Sequence, residues 1–381
     1  MTSVQRPQRW MAKRPGGVWL PAHQEHVLYS LAHIDATVES LTLALEGYLA
    51  LDPLQLKARY TSTHEEVVLV GTLPLPEAVP RLLADALNQM RNVLEHTLYA
   101  EVLLRVGRDL TEAEARALEV PAAEKEEDFH GWTRRKDRVS LGLFDLGSEL
   151  RERLHRLQPL HRRDSASHPL RALVGHTNFA KHREPAVALT RVGRVDLDSD
   201  VVRKPLGHRD HVQVGDVLAS VPLGVREGVS VWPDVVVQRP SSGEWITLMK
   251  EVTYIEEWVR KQAIPILIAG TTEGPPIPPH LDTLVGYANI QSAWSAAGPS
   301  SATQRMVRRM SGEGLRRDLL EMLAGQYGEE HRAAFEAWLR SMDSGTVLDR
   351  FKPVISAVSR GNEEAWDRAV SEWLAEAGVI A

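Results

Sequence analysis

The chain has 381 residues, 43% of them hydrophobic and 25% charged, a balance typical of soluble globular proteins and unlike that of disordered or fibrous chains. It contains no cysteine, which excludes disulfides, thiolate metal sites and cysteine nucleophiles. The formal net charge is −6. No apolar run reaches the roughly 20 residues that span a bilayer, and the N-terminus lacks the apolar segment of a secretory signal, so we expect a cytoplasmic protein with no membrane partner. The length of the chain predicts two or three domains.

The first half of the sequence predicts a helical bundle with an inserted β-hairpin. Apolar residues spaced by threes and fours indicate amphipathic helices, and two β-branched or alternating runs separated by a short polar segment indicate the hairpin. An acidic stretch at 109–128 is typical of a solvated excursion. The predicted elements are a helix at 23–51, strands at 56–60 and 67–73, and helices at 79–106, 140–157 and 169–182.

The second half changes from a β-rich to a helical pattern. Short strands are predicted at 188–195, 212–221, 229–237 and 245–248, followed by a helix at 251–262 and an apolar run at 264–269. Four prolines between 274 and 279 impose an extended path. We therefore predict an α+β fold, made of an N-terminal arm (1–20), the bundle with its hairpin (21–184), a β-rich part packed on the bundle (185–272), a Pro/Gly/Ser-rich linker (273–302) and a helical C-terminal domain (303–381) with amphipathic tryptophan segments.

The helix at 79–106 carries an unusual row of polar side chains. On a helical wheel, Asn88, Asn92, His96 and Tyr99 fall within about 80° of one another, opposite an apolar stripe. A solvated face normally holds Lys, Glu and Arg, whereas amides, imidazole and phenol suit directed hydrogen bonds. We therefore expect this face to be covered by another helix, a second subunit or a ligand.

The helix at 169–182 offers a complementary row. Arg171, Asn178 and His182 line one stripe of it, beside an apolar stripe. If the two helices pack together, they gather two histidines, up to two arginines and several amides. Two interpretations are open: a site for a ligand, or a buried polar network that fixes the register of the helices.

The first of these helices also contains a short motif, Arg91-Asn92-Val93-Leu94-Glu95-His96. The Arg-x4-His spacing alone is weak, because it recurs four times between residues 156 and 208. In this context, however, it resembles the signature of HEPN ribonucleases. That resemblance implies metal-free RNA cleavage in a homodimer without a cofactor, with His96 as base, Arg91 stabilising the transition state and Asn92 orienting the phosphate.

A second resemblance extends from about His23 to Arg183, and more weakly to about Ala269. Four blocks, at 87–96, 157–160, 168–170 and 178–183, are similar to H-N-L-R-S-A-L-D-H, L-Q-P-Y, H-P-L and N-x-D-K-H-R of a widespread uncharacterised bacterial family. The chain departs from that pattern with Asn88, Glu95 and Ala180. The family implies no activity, but it directs attention to Arg91, His96, Lys181, His182 and Arg183.

The charge distribution and the remaining histidines leave further alternatives. Residues 130–211 contain 17 Lys or Arg against 10 Asp or Glu, which favours an anionic partner or, alternatively, complements acidic neighbours. Each of the pairs His208/His211 and His23/His26 lacks a clear third metal ligand, so we predict no metal site and give a metal-dependent hydrolase the lowest rank.

The leading hypothesis is therefore a HEPN-like protein that acts on RNA, in the manner of a toxin or defence endoribonuclease. Its catalytic residues are Arg91, Asn92 and His96. Its predicted substrate-binding residues are Asn88, Tyr99, Arg171, Asn178, Lys181, His182 and Arg183. The competing hypothesis is a non-catalytic interaction or scaffold protein whose cluster is a structural network. In either case the C-terminal helical domain is available to bind another protein.

Overall fold

The fold is α+β, with a helical bundle, two small sheets and an all-helical C-terminal region. The computed structural model describes residues 17–182, 186–198, 212–358, 360 and 363–379. The chain divides into two compact units at the Ser300/Ser301 junction. The helices of the first unit are α1 His26–Leu49, α2 Ala78–Val106, α3 Glu112–Ala117, α4 Glu126–Thr133, α5 Lys136–Val139, α6 Glu149–Arg156, α7 Pro169–His182, α8 Leu248–Trp258, α9 Ile264–Ala269 and α10 Ile290–Ala296.

Helices α1 and α2 form the centre of the bundle. They pack side by side, and α2 also contacts α7 and α9. The apolar stripe predicted for α2 is buried, because removing these side chains from water stabilises the packed pair. Its members, each at most 1% exposed, are Leu83, Leu87, Met90, Leu94 and Leu98. The opposite stripe is thereby turned away from this core.

The predicted hairpin is present, but it does not stand alone. Its strands β1 (Leu54–Tyr60) and β2 (His64–Thr72) pair antiparallel, and β2 also pairs with β4 (Val217–Pro222). The second sheet has the order β3-β5-β6, from strands Ala188–Leu197, Val229–Gln238 and Trp245–Thr247. A small apolar core joins the two sheets, made by Leu54, Leu69, Val192 and Leu218.

Two segments between α2 and α7 differ from their predictions. The stretch at 109–128 is not simply solvated, because it contains α3 and its Val120 is fully buried. The helix predicted for 140–157 is observed only at Glu149–Arg156. Gly142 and Gly147 before it have φ values of 65° and 82°, a left-handed conformation that ends helical geometry.

The region after the sheets is more regular than the sequence indicates. Helices α8 and α9 are joined by a π-helical turn at Val259–Ala263, just before Pro265. Proline has no backbone N–H and so cannot donate the usual helical hydrogen bond. The predicted linker at 273–302 is packed as well. Ile277 and Leu281 are buried, and α10 lies within this segment. Removal of these apolar side chains from water stabilises the packed arrangement of the segment.

The C-terminal unit is a helical bundle with its own core. Its helices are α11 Ala302–Tyr327, α12 Arg332–Arg340, α13 Ser344–Val358 and α14 Glu363–Glu376. The core contains Leu323, Phe335, Phe351 and Trp373, with Trp338 and Trp366 packed against it. The tryptophans of this unit therefore serve packing, as their helical spacing indicates.

A close contact between α11 and α13 gives a stability prediction. A Cβ atom at Gly312 would lie 2.2 Å from the backbone oxygen of Ser344, whereas a Cβ atom at Gly314 would meet nothing within 4 Å. We expect Gly312→Ala to destabilise the unit by about 1–3 kcal/mol through overpacking. Gly314→Ala should instead stabilise it by about 1 kcal/mol, because alanine favours the helix.

Hydrogen exchange of the α11 and α13 amides in the full chain measures both effects. Faster exchange in Gly312→Ala and slower exchange in Gly314→Ala are expected. Equal exchange in the two variants would show that the two helices do not meet at Gly312.

Among the residues that the structure describes, no helix combines the length and the apolar character needed to cross a bilayer.

Candidate functional site

The polar stripe of α2 is not covered by any of the described residues. Asn92, His96 and Tyr99 are exposed and Asn88 is half-buried. Their side chains form no hydrogen bond with another part of the described chain, so none of the described helices of the protomer supplies the expected cover. Within that part of the chain these four residues do not form a buried polar network.

Arg91 does not share this exposed face. Its Nε donates to Glu95 Oε1 at 2.5 Å, its side chain is only 14% exposed, and its Nη1 is buried without a hydrogen-bond partner among the described residues. Five residues of α-helix rotate the chain by about 500°, so Arg91 and His96 leave the helix about 140° apart. The arginine and the histidine of the motif therefore point in different directions.

The neighbour of His96 is His26, at the start of α1. Burial lowers the pKa of His26 below its usual value, and the positive charge on a protonated His96 lowers it further. The imidazole of His26 hydrogen bonds to the backbone of His23, and its Nε2 is buried without a partner in the described chain. Nδ1 is then the donor, which leaves the Nε2 lone pair of a neutral ring free.

A third imidazole, that of His23, interacts electrostatically with His26 as well. His23 Nε2 lies 2.7 Å from Glu101 Oε1, and the His23 side chain is 26% exposed while that of Glu101 is 3% exposed. His23, His26 and His96 thus form a group at one end of the α1–α2 pair, which we call the histidine cluster. Its sequence signal was the pair His23/His26, considered only as a metal candidate.

The carboxylate behind the histidine cluster is held from several sides. Gln24 Nε2 donates to Glu101 Oε1 at 2.9 Å, Arg105 Nη1 donates to Oε2, and Arg153 Nη1 lies 3.7 Å from Oε2. Glu101 and Arg153 are both buried. These contacts hold the Glu101 carboxylate in place, so that it can orient His23.

The residues predicted on α7 lie apart from the histidine cluster. Arg171 Nε donates to Glu124 Oε1 at 2.6 Å. Asn178, Lys181 and His182 are exposed, and Arg183 lies outside the described residues. Helices α2 and α7 do pack together, but the arginine of the predicted stripe is already paired with an acidic neighbour, as one interpretation of the basic segment proposed.

The direction of α7 explains this separation. His168 contacts Trp258 and His176 contacts Glu251, so α7 runs antiparallel to α8. Helix α9, which continues α8, ends at Ala269, and in its last turn the carbonyls of Leu267 and Ile268 accept hydrogen bonds from Arg153 beside Glu101. The C-terminal end of α7 therefore points away from the Glu101 end of the bundle and from His96.

A buried ionic network joins α7 to α8 and to the segment after β5. Arg239 donates to both carboxylate oxygens of Glu251, at 2.8 and 2.5 Å, and His176 Nε2 lies 3.2 Å from Oε1. All three are buried. Burial raises the pKa of Glu251, but hydrogen bonds from His176 and Arg239 outweigh it and the net pKa is lowered. Of the three, only His176 carried a sequence signal, as one of the repeated Arg-x4-His pairs.

Two of the sequence blocks have structural roles. Gln158 is fully buried, accepts from the Ala123 N–H at 2.9 Å and donates to the Leu154 carbonyl at 2.8 Å. His168 Nδ1 accepts from the Leu170 N–H at 3.1 Å, and burial lowers the pKa of His168 to about 4. The blocks at 157–160 and 168–170 therefore fix a turn and the start of α7.

Some of the excess basic charge of the middle segment is buried as well. Arg138 is fully buried and donates to the carbonyls of Ala117 and Trp132. Burial lowers its pKa to about 10. Some of the basic side chains of this segment are thus buried and form internal hydrogen bonds. Others, such as Arg134 and Arg163, are exposed.

The two candidate metal pairs have different outcomes. Residues His208 and His211 lie outside the described part of the chain. His23 and His26 are described, and within that part no group of three histidine, aspartate or glutamate side chains has a geometry that could hold a metal ion.

The chain matches no protein-family model, no curated protein and no solved structure. Its function is therefore argued from the histidine cluster and the polar stripe beside it.

Proposed function

We propose that the face formed by the start of α1 and the polar stripe of α2 binds RNA and cleaves it without a metal ion. One observation carries this proposal: His96 is exposed, makes no hydrogen bond in the described chain and interacts electrostatically with a second imidazole, His26, whose pKa burial lowers. Histidine is the side chain that most often takes up and gives off protons in catalysis near neutral pH.

The chemistry requires a base for the ribose 2′-hydroxyl. His96 takes this proton while the 2′-oxygen attacks the adjacent phosphate. Asn92, one turn earlier on the same face, donates a hydrogen bond to a phosphate oxygen, and Asn88 and Tyr99 bind the neighbouring nucleotides. These side chains are available for this because they have no hydrogen-bond partner in the described chain.

Arg91 takes no part in the chemical step as we propose it. Its guanidinium is paired with Glu95 and largely buried. We therefore assign Arg91 a structural role on the helix, next to Asn92. Lys181 and His182, at the end of α7, are proposed to bind more distant backbone phosphates, since a bound strand can extend along the bundle. The same role is proposed for Arg183, which lies outside the described residues.

Cleavage of a mixed-sequence RNA pool in excess EDTA tests this function. We expect fragments with 2′,3′-cyclic phosphate ends, because the 2′-oxygen is the nucleophile. DNA and 2′-O-methyl RNA should remain intact. A need for added Mg²⁺, or equal cleavage of 2′-O-methyl RNA, would rule out the proposed chemistry.

A second copy of the chain is the other candidate occupant of this face. The observation that favours it is the exposed Tyr99 side chain within a row of amides, a composition found at protein interfaces. Sedimentation of the parent chain and of the Asn92→Lys variant distinguishes a second copy of the chain from RNA as the occupant of this face. A dimer that the lysine disrupts, with no RNA cleavage by the parent chain, supports the scaffold interpretation.

A further inference from the structure

The dyad formed by His23 and Glu101 has the geometry of an oriented proton donor. Glu101 is buried and receives hydrogen bonds from Gln24, Arg105 and His23. Because Nε2 of His23 is fixed on this carboxylate, the ring presents Nδ1 on its other side. The His23 side chain is 26% exposed, so the ring can be reached from solvent.

The dyad belongs to the same end of the bundle as His96. His26 interacts electrostatically with both His23 and His96. Gln24, between His23 and His26 in sequence, is fully buried and its Nε2 binds both Glu101 and the Thr97 carbonyl of α2. The turn that carries His23 is thereby anchored on α2 one residue beyond His96.

We infer that His23 is the general acid that protonates the leaving 5′-oxygen, and that Glu101 positions it. This inference rests on the proposed function. The buried carboxylate, 2.7 Å from Nε2, fixes the orientation of the ring, and an imidazolium ring held in this way can donate from Nδ1. Cleavage of RNA needs this donor because a 5′-alkoxide is a poor leaving group.

The step balances with the groups present. The 2′-oxygen forms a bond to phosphorus as its proton passes to His96, and the bond from phosphorus to the 5′-oxygen breaks. The electron pair of that bond goes to the 5′-oxygen, which takes the proton from Nδ1 of His23. The products are a 2′,3′-cyclic phosphate and a free 5′-hydroxyl, and water exchanges protons with the two imidazoles to restore the initial state.

Two substrates distinguish an acid from a structural residue. One is the dinucleotide uridylyl-adenosine, and the other is uridine 3′-(4-nitrophenyl phosphate), whose nitrophenolate departs without a proton. We expect His23→Ala to lower cleavage of the dinucleotide by about 10²–10⁴-fold and to leave cleavage of the nitrophenyl ester within about threefold. His96→Ala should lower both, since both need the base.

The ratio of the two rates makes the test independent of folding, because a partly unfolded variant loses both activities by the same factor. An equal loss on both substrates overturns the role of His23 while the proposed function stands. If the parent chain cleaves neither substrate, the proposed function itself fails. Glu101→Gln should shift the ratio in the same direction as His23→Ala; an unchanged ratio in that variant overturns the positioning role of Glu101.

Discussion

Replacement of His96 by alanine is expected to lower the rate of RNA cleavage by about 10²–10⁴-fold, the range that general base catalysis contributes. The folded state should be almost unaffected, because His96 is exposed and makes no hydrogen bond in the described chain. Surface substitutions of this kind change stability by about 0.5 kcal/mol or less. Initial rates on a fluorescent RNA in EDTA, with melting curves of the same samples, measure both quantities.

His64→Ala is the matched control for this variant. His64 is a partly exposed histidine on the hairpin, and its side chain is hydrogen-bonded to that of Thr63. His64→Ala should change neither the rate of RNA cleavage nor the melting temperature. Two outcomes would show that the cleavage does not arise at the histidine cluster. One is that His96→Ala cleaves RNA as fast as the parent chain, and the other is that His64→Ala loses as much activity as His96→Ala. Loss of activity together with loss of folding would indicate a structural role for His96.

Replacement of Glu251 by alanine is expected to destabilise the first unit by about 3–5 kcal/mol, because it leaves the buried guanidinium of Arg239 with only the exposed carboxylate of Glu244, 3.5 Å away. His176 also loses its partner. Since the folded pKa of Glu251 is lowered, its contribution to stability is complete above the ordinary pKa of a glutamate and is lost as the pH falls from that value through the lower folded pKa. Urea unfolding at pH 7 measures the change.

The same helix offers the control. Glu257 is paired with Lys261 at 2.5 Å, but both side chains are about half exposed, so Glu257→Ala should cost about 0.5 kcal/mol or less. The double variant Arg239→Met with Glu251→Leu should recover much of the stability lost in Glu251→Ala, because no charge is left buried and unpaired. Equal midpoints for Glu251→Ala and Glu257→Ala would show that the buried network does not hold α7 to α8.

The limits of the Arg-x4-His motif illustrate what spacing can predict. The motif correctly marked a helix with an unusual polar face, because helical periodicity depends only on neighbouring residues. It did not show that Glu95, four residues after Arg91, binds the arginine, nor that five residues turn the two side chains about 140° apart. Which of several local partners an arginine takes depends on which of them is screened from water.

The histidine cluster was predictable only in part. Helix α1 and helix α2 were predicted separately, and His23, His26 and His96 were noted in different contexts. Their proximity depends on the antiparallel packing of the two helices, which places the start of α1 beside the last turns of α2. No local pattern contains that information.

The sequence by itself determined the fold class, most helix and strand positions, and the two stripes of α2, because apolar periodicity and the conformations of proline and glycine act over a few residues. The tertiary structure decided which polar residues form hydrogen bonds and ion pairs with one another. Glu101 and Glu251 are unremarkable glutamates in the sequence. The packed structure places Glu101 next to His23 and Arg153, and Glu251 next to His176, all three from distant segments. In a buried environment an unpaired charge is too unfavourable to persist, so packing selects the partners, and the exposed residues that remain, His96 and Asn92 among them, are the ones free for a ligand.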